Sequence, residues 1–203
     1  QKISDRRLTK NLYNSRYEQE DAEGKLLKEY GWLIYVQSDF KLVINNPESK
    51  FVCLKRVPDG DVEKWIFVHW IDNVSPEYLN EDSVRSIRNR LTKRFYKYGN
   101  DSTYITIAKD YYMTSEVNFK GKYAILTQGL WEEKPKGTQG PFINYTFYDE
   151  KSRRVYMLDG CIYAPKYYKR NLIQQIDVLL QSFMTIDEIS KEKKEELLSA
   201  VKE

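Results

Sequence analysis

The segments KYAILTQGLW (122–131), FINYTFY (142–148) and RRVYMLDGCIY (153–163), followed by PKYYKRNLIQQIDVLLQSF (165–183), decide the fold. The first three alternate with period two, the spacing of a strand whose successive side chains point to opposite faces. In the first, Tyr123, Ile125, Thr127 and Trp131 share one face, and Ala124, Leu126 and Leu130 the other. Both faces are largely apolar, which places the strand inside a sheet covered on at least one side. The stretch EEKPKGTQG (132–140) reads as a charged Pro/Gly loop that stops this strand. Asp149, Glu150, Lys151 and Ser152 read as a short turn between antiparallel neighbours. The segments therefore form an antiparallel meander. Pro165 suits the first turn of a helix, and Tyr168, Leu172, Ile176, Leu179, Leu180 and Phe183 then recur at helical spacing. Such a stripe must be buried, and the sheet is the surface available.

Seven short motifs lie in and just before this region: YMTSE (112–116), GKYA (121–124), GLW (129–131), GPF (140–142), DEK (149–151), YAPK (163–166) and KRNL (169–172). In that order and spacing they make the chain resemble a family of Bacteroidota lipoproteins catalogued as a domain of unknown function, DUF 4837. The resemblance covers residues 109–183 and extends more loosely from Arg6 onward. It implies a cell-envelope location, periplasmic or surface-facing, with the full-length form tethered to a membrane by a lipid upstream of Gln1. Where the family ends its first strand in Ile-Pro, this chain has Val36-Gln37, so the entry to the second strand stays open. More remotely, strand, strand and a helix ending at Phe183 are similar to the PsbP-like sandwich, an analogy of architecture that carries no function.

Apolar residues make up 41% and charged residues 31% of the 203, a mixture suited to one substantial domain. A net charge of +3 is too small to indicate nucleic acid. Among 17 tyrosines several fall on strand faces, where an amphipathic ring suits half-exposed sheet and binding groove alike. No apolar run reaches the length of a membrane-spanning helix. Cys53 and Cys161 make no metal motif and read as two separate buried thiols rather than a bridge. The single histidine, His69, sits in the aromatic strand WIFVHW (65–70) and reads as structural. Neither a P-loop, a dinucleotide fingerprint nor a hydrolase motif occurs, so no catalytic residue, metal ligand or cofactor is assigned.

Taken in order, the chain predicts a helix over 4–30, touching the body through Leu8, Leu12, Leu26, Leu27 and Tyr30, with a polar middle exposed or broken near Gly24. Strands follow at 32–36, 40–44, 51–57 and 65–70, with a turn at Pro58-Asp59-Gly60. A second helix spans 81–98, capped by Asn80, with Val84, Ile87, Leu91, Phe95 and Tyr98 buried. A further short strand is expected at 104–107. The expected fold is α/β of the α+β kind: an antiparallel sheet of about seven strands with amphipathic helices packed on it, a PsbP-like sandwich. One domain covers 1–186. Residues 187–203 form a charged helical appendage, opened by a Thr185–Glu188 capping box and touching the body through Ile189, Leu197 and Val201.

The leading functional expectation is a non-catalytic envelope module binding a ligand or protein partner through its tyrosine-rich sheet or the 132–140 loop. Trp131, Phe142, Tyr145 and Tyr148 are its candidate contacts, with a core or loop-anchoring role as the alternative for Trp131 and Phe142. Arg85, Arg88, Lys93 and Arg94 on the second helix form a candidate anion-binding face, or else a merely solvated one. The alternative from another class is an envelope enzyme, for example one acting on glycans, built from scattered residues.

Overall fold

The structure, a computed structural model, describes residues 17–56, 61–97 and 103–201. Leu8, Leu12, the Pro58-Asp59-Gly60 turn and Tyr98 lie outside the described residues. A seven-stranded antiparallel sheet runs in the order β2-β3-β4-β8-β7-β6-β5. Its strands are β2 (Phe40–Asn46), β3 (Phe51–Arg56), β4 (Glu63–Asp72), β5 (Tyr104–Phe119), β6 (Lys122–Lys134), β7 (Gln139–Asp149) and β8 (Arg154–Tyr163). A two-stranded pair, β1 (Trp32–Leu33) with β9 (Met184–Thr185), closes one corner. The helices are α1 (Glu20–Tyr30), α2 (Glu81–Phe95), α3 (Lys169–Leu180) and α4 (Lys191–Ala200). The α+β architecture with an antiparallel seven-stranded sheet is as expected.

Period-two alternation splits the sheet's side chains into two cores. On one face Val52, Leu54, Ile66, Val68, Phe147, Tyr156, Leu158 and Ile162 pack against α1 and α3. On the other Phe51, Cys53, Trp65, Phe67, Ile125, Trp131, Phe142 and Cys161 pack against Val84, Ile87 and Leu91 of α2. Gly160 lets α3 lie close on β8: a Cβ there would sit 2.0 Å from Ile176 Cγ2. Ile176, Leu179, Leu180 and Phe183 are buried as the stripe requires. Leu172 is only half-buried, and Tyr168, at 96% exposure, stands outside the helix as its N-cap. The helix begins four residues after Pro165, because the chain turns through residues 165–167 before its first helical bond.

Other departures have clear causes. The first strand is two residues long because Ile34, Tyr35 and Val36 are buried without entering a ladder; Tyr35 N–H donates instead to Ser182 Oγ and Val36 N–H to Glu23. The α1 helix starts at Glu20 and runs unbroken through Gly24, which is buried. A Cβ on Gly24 would lie 2.2 Å from the Leu197 carbonyl oxygen, so the missing side chain is what lets α4 dock. Leu197 is fully buried with Leu27, Leu33 and Ile189. The 132–140 loop is mostly strand: β6 continues to Lys134, and β7 resumes at Gln139. Glu133 N–H donates to the Thr138 carbonyl at 2.7 Å, and Gly137 N–H returns to Glu133 O, closing a tight hairpin.

The strand expected at 104–107 is sixteen residues long and forms a sheet edge. Its register with β6 breaks between Ile107 and Tyr112. At the break the β5 backbone crosses Gly129, where a Cβ would come 2.1 Å from the Tyr111 carbonyl oxygen. The GLW motif begins with glycine for that reason.

A groove where the sheet outruns its helix

One face of the sheet is longer than its cover. The α2 helix, at fifteen residues, spans roughly 22 Å, whereas β6, at thirteen, spans roughly 43 Å. Beyond the N-terminus of α2 the sheet floor is bare. Tyr123 on β6 and Tyr148 on β7 fall there. Ala124 opposes Phe147, so the tyrosines one step outward are cross-strand neighbours sharing a face. Tyr123 is 54% exposed and Tyr148 half-buried. The segment between β4 and α2 forms a wall: Ser75 caps a single 3-10 turn, Pro76–Tyr78, and Pro76 and Leu79 border the space. The two hairpin ends and Glu188 complete a groove of about 680 Å³.

Each hairpin end is fixed by its own chemistry. Phe119 opposes Lys122, leaving Lys120 and Gly121 as a two-residue loop with φ of 54° and 89°. This is the primed turn that twisted hairpins favour, and glycine enters it without strain. Asn118 Oδ1 accepts from Gly121 N–H at 2.7 Å. At the neighbouring turn Asp149 accepts from Ser152 N–H at 3.0 Å and from its hydroxyl at 2.6 Å. Lys122 joins the two ends: its ammonium pairs with Glu188 and lies 3.7 Å from Asp149. Burial works against the Glu188 carboxylate, but Lys122 and Thr185 N–H outweigh it and hold its pKa below the ordinary value. The GKYA and DEK motifs are thus a turn and a cap meeting over one lysine.

The four aromatic candidates do not come together. Only Tyr148 lines the groove. Trp131, 2% exposed, lies in the α2-side core, its indole N–H donating 3.1 Å to the Ile162 carbonyl across β7. Gly140 makes room for it; a Cβ there would meet the indole at 2.7 Å. Phe142, 1% exposed, packs under the Arg88 guanidinium at 3.9 Å. Tyr145 faces the opposite core and donates 2.8 Å to Asp177 on α3; burial and that carboxylate raise its pKa. Tyr123, Lys122 and Glu188, which also line the groove, were not among the candidate site residues. The signal was present, since a meander necessarily brings the start of β6 beside the end of β7.

The candidate anion face also divides. Arg88 is completely buried, pairing with Asp159 through Nε at 2.6 Å and Nη2 at 3.2 Å. Asn144 donates to the same carboxylate, and the Cys161 thiol bonds to it. Position 88 falls on the α2 stripe beside Ile87 and Leu91, where a charge survives only with a partner across the interface. Arg85 is held by Asp82 and the Tyr112 hydroxyl. Lys93 and Arg94 are exposed and rest over the rings of Tyr104 and Phe95. Cys53 and Cys161 are free. They sit on β3 and β8 with β4 between, roughly 9.5 Å of sheet, beyond the Cα separation of about 4.4–6.8 Å that a bridge needs.

At the other end of this face Glu63, Trp131, Glu133, Thr138 and Tyr163 enclose a smaller cavity of about 210 Å³. Lys55 pairs with Glu63 at 3.1 Å. His69 Nδ1 lies 2.8 Å from the Lys50 carbonyl, while burial pulls its pKa down to about 4, so it is a neutral core residue. Among the described residues no cluster of three His, Cys, Asp or Glu has metal-ligand geometry.

Among solved structures, the chain is similar to the Saccharomyces cerevisiae Ran-binding protein Mog1p, at 8% identity, with a TM-score of 0.48 over 77% of this chain and 90% of that one. A Bacteroides thetaiotaomicron protein is similar at 9% identity and a TM-score of 0.40, over 80% of this chain and 46% of that one. No curated protein matches the sequence. The family model described as a domain of unknown function, DUF4837, matches residues 18–182. The hairpin ends, close-packed glycines and α3 all lie inside that span, and the chain belongs to the DUF4837 family.

Proposed function

We propose that the chain is a binding module of the cell envelope, tethered in its full-length form by an N-terminal lipid, that engages a partner through the groove at the hairpin end of its sheet. The observation that carries the binding half is the bare floor: two neighbouring tyrosines on rigid strands beyond the reach of α2, inside a space of about 680 Å³. Concave, largely preformed sites with aromatic lining and a few fixed polar groups are where ligands bind. The envelope half rests on the lipoprotein resemblance alone. A photo-crosslinking residue placed at Tyr123 in the native cell should give a discrete adduct that Tyr148→Ala abolishes. The same residue at half-buried Lys169, remote from the groove, should not. Equal adducts from both positions would sink the groove. Recovery of the native full-length product in the soluble fraction would sink the tether.

A further inference from the structure

We propose that the groove takes a lysine- or arginine-bearing segment of a partner polypeptide; this rests on the groove being the binding site. Its ionisable lining consists of Glu77, Asp149, Glu150 and Glu188 against Lys122 and Lys151, so it is acidic in a chain whose net charge is +3. These carboxylates are not equivalent. Asp149 and Glu188 are committed to Lys122, and Asp149 also caps its turn. Glu77 and Glu150 are exposed and enter no ion pair among the described residues. Lys151, beside Glu150 on the turn, is the one opposing charge on the rim that pairs with no carboxylate among the described residues.

The floor fits the same partner. A cation over a tyrosine face is attracted by the ring quadrupole, and desolvation strengthens that attraction. Pro76 and Leu79 give an aliphatic stem an apolar wall, as long basic side chains require when their heads reach a polar rim. Floor, wall and rim thus match the three parts of a lysine or arginine side chain. A phosphate-bearing partner would meet the wrong sign here.

The test is an amide NMR titration of the whole chain with hexalysine, hexaglutamate and a neutral chitin hexasaccharide. Hexalysine is expected to shift Tyr123 and Tyr148 saturably and to weaken as salt rises. Glu77→Gln with Glu150→Gln should weaken it about tenfold, the loss of two unshielded charges. Both sites are exposed, so the remaining spectrum should be unchanged. An unaltered affinity in that variant overturns the proposal. So does a saccharide or hexaglutamate that shifts these residues while hexalysine does not, though the groove then remains a binding site. If none of the three probes moves them, the groove reading falls as well.

Discussion

The two faces of the sheet solve the same problem differently. The face under α1 and α3 is sealed by two helices and held by aromatic contacts: Phe183 lies 5.7 Å from Trp32, 5.0 Å from Tyr156 and 5.8 Å from Phe147. The face under α2 has one helix, places an ion pair at its centre, and leaves its far end uncovered. A single short helix has to cross a wide sheet. The buried Arg88–Asp159 pair and the open tyrosine floor both follow from that thinner cover.

The largest expected effect breaks the thin face. Arg88→Ala strands the Asp159 carboxylate in the core and should cost about 3–5 kcal/mol in urea unfolding. Arg88→Met combined with Asp159→Leu should recover most of that, because the uncompensated charge is the cost. If Arg88→Ala unfolds like the parent, the ion pair does not hold this face. On the sealed face Ile176→Ala should cost about 2–5 kcal/mol, and half-buried Leu172→Ala less. Gly160→Ala pushes a methyl into Ile176 and should cost about 1–3 kcal/mol. Combined with Ile176→Ala its cost should shrink, since the truncation vacates the space. Strict additivity of the two would show that α3 is not seated as described.

A pH series separates the faces again. On the sealed side burial raises the Glu23 pKa from 4.5 to about 8, with Val36 N–H opposing and Glu18 adding to the shift. The folded state then holds a proton that the unfolded chain has released, so this contribution is present below pH 4.5 and is lost as pH rises through about 8. His69, on the α2 side, works the other way. Its folded pKa of about 4 against 6.5 costs stability as pH falls through that window. Glu23→Gln should flatten only the alkaline limb of the melting-temperature profile; a flattened acid limb would contradict the assignment. The smallest effect belongs to the groove. Tyr123→Ala should change stability by no more than about 0.5 kcal/mol, like Lys169→Ala, because a binding floor is not a core. A large loss would make Tyr123 structural.

Most of the meander was legible, because Val155, Met157 and Cys161 alternate cleanly with Tyr156, Leu158 and Ile162. What failed did so where an intrinsic signal met a tertiary one. Lys134 and Glu133 look like loop, yet Glu133 is buried and its N–H closes a hairpin. Residues 108–118 of β5 show no clean apolar face, Tyr111, Met113 and Val117 being mixed with Lys109 and Ser115, because most of that ribbon is exposed. Arg88 was indistinguishable from Arg85 by composition; only its place on the buried stripe, three residues before Leu91, told them apart. The groove was hidden for another reason. It consists of what α2 does not reach, and an uncovered surface has no periodicity of its own.

The long edge strand carries a hazard that its irregularity answers. Asn89 accepts from Ile107 N–H and Thr92 donates to the Ile105 carbonyl, so α2 occupies the outer rim of β5 at its start. From residue 109 onward no strand among the described residues satisfies that rim. An exposed, straight rim of this length is a template for chain-to-chain stacking, and a kink with charged neighbours is how proteins blunt one. The break at 108–111, which itself contains Lys109 and Asp110, supplies both. Deleting residues until β5 runs straight past Gly129 should therefore yield a protein that precipitates before it unfolds, with light scattering rising ahead of any loss of secondary structure.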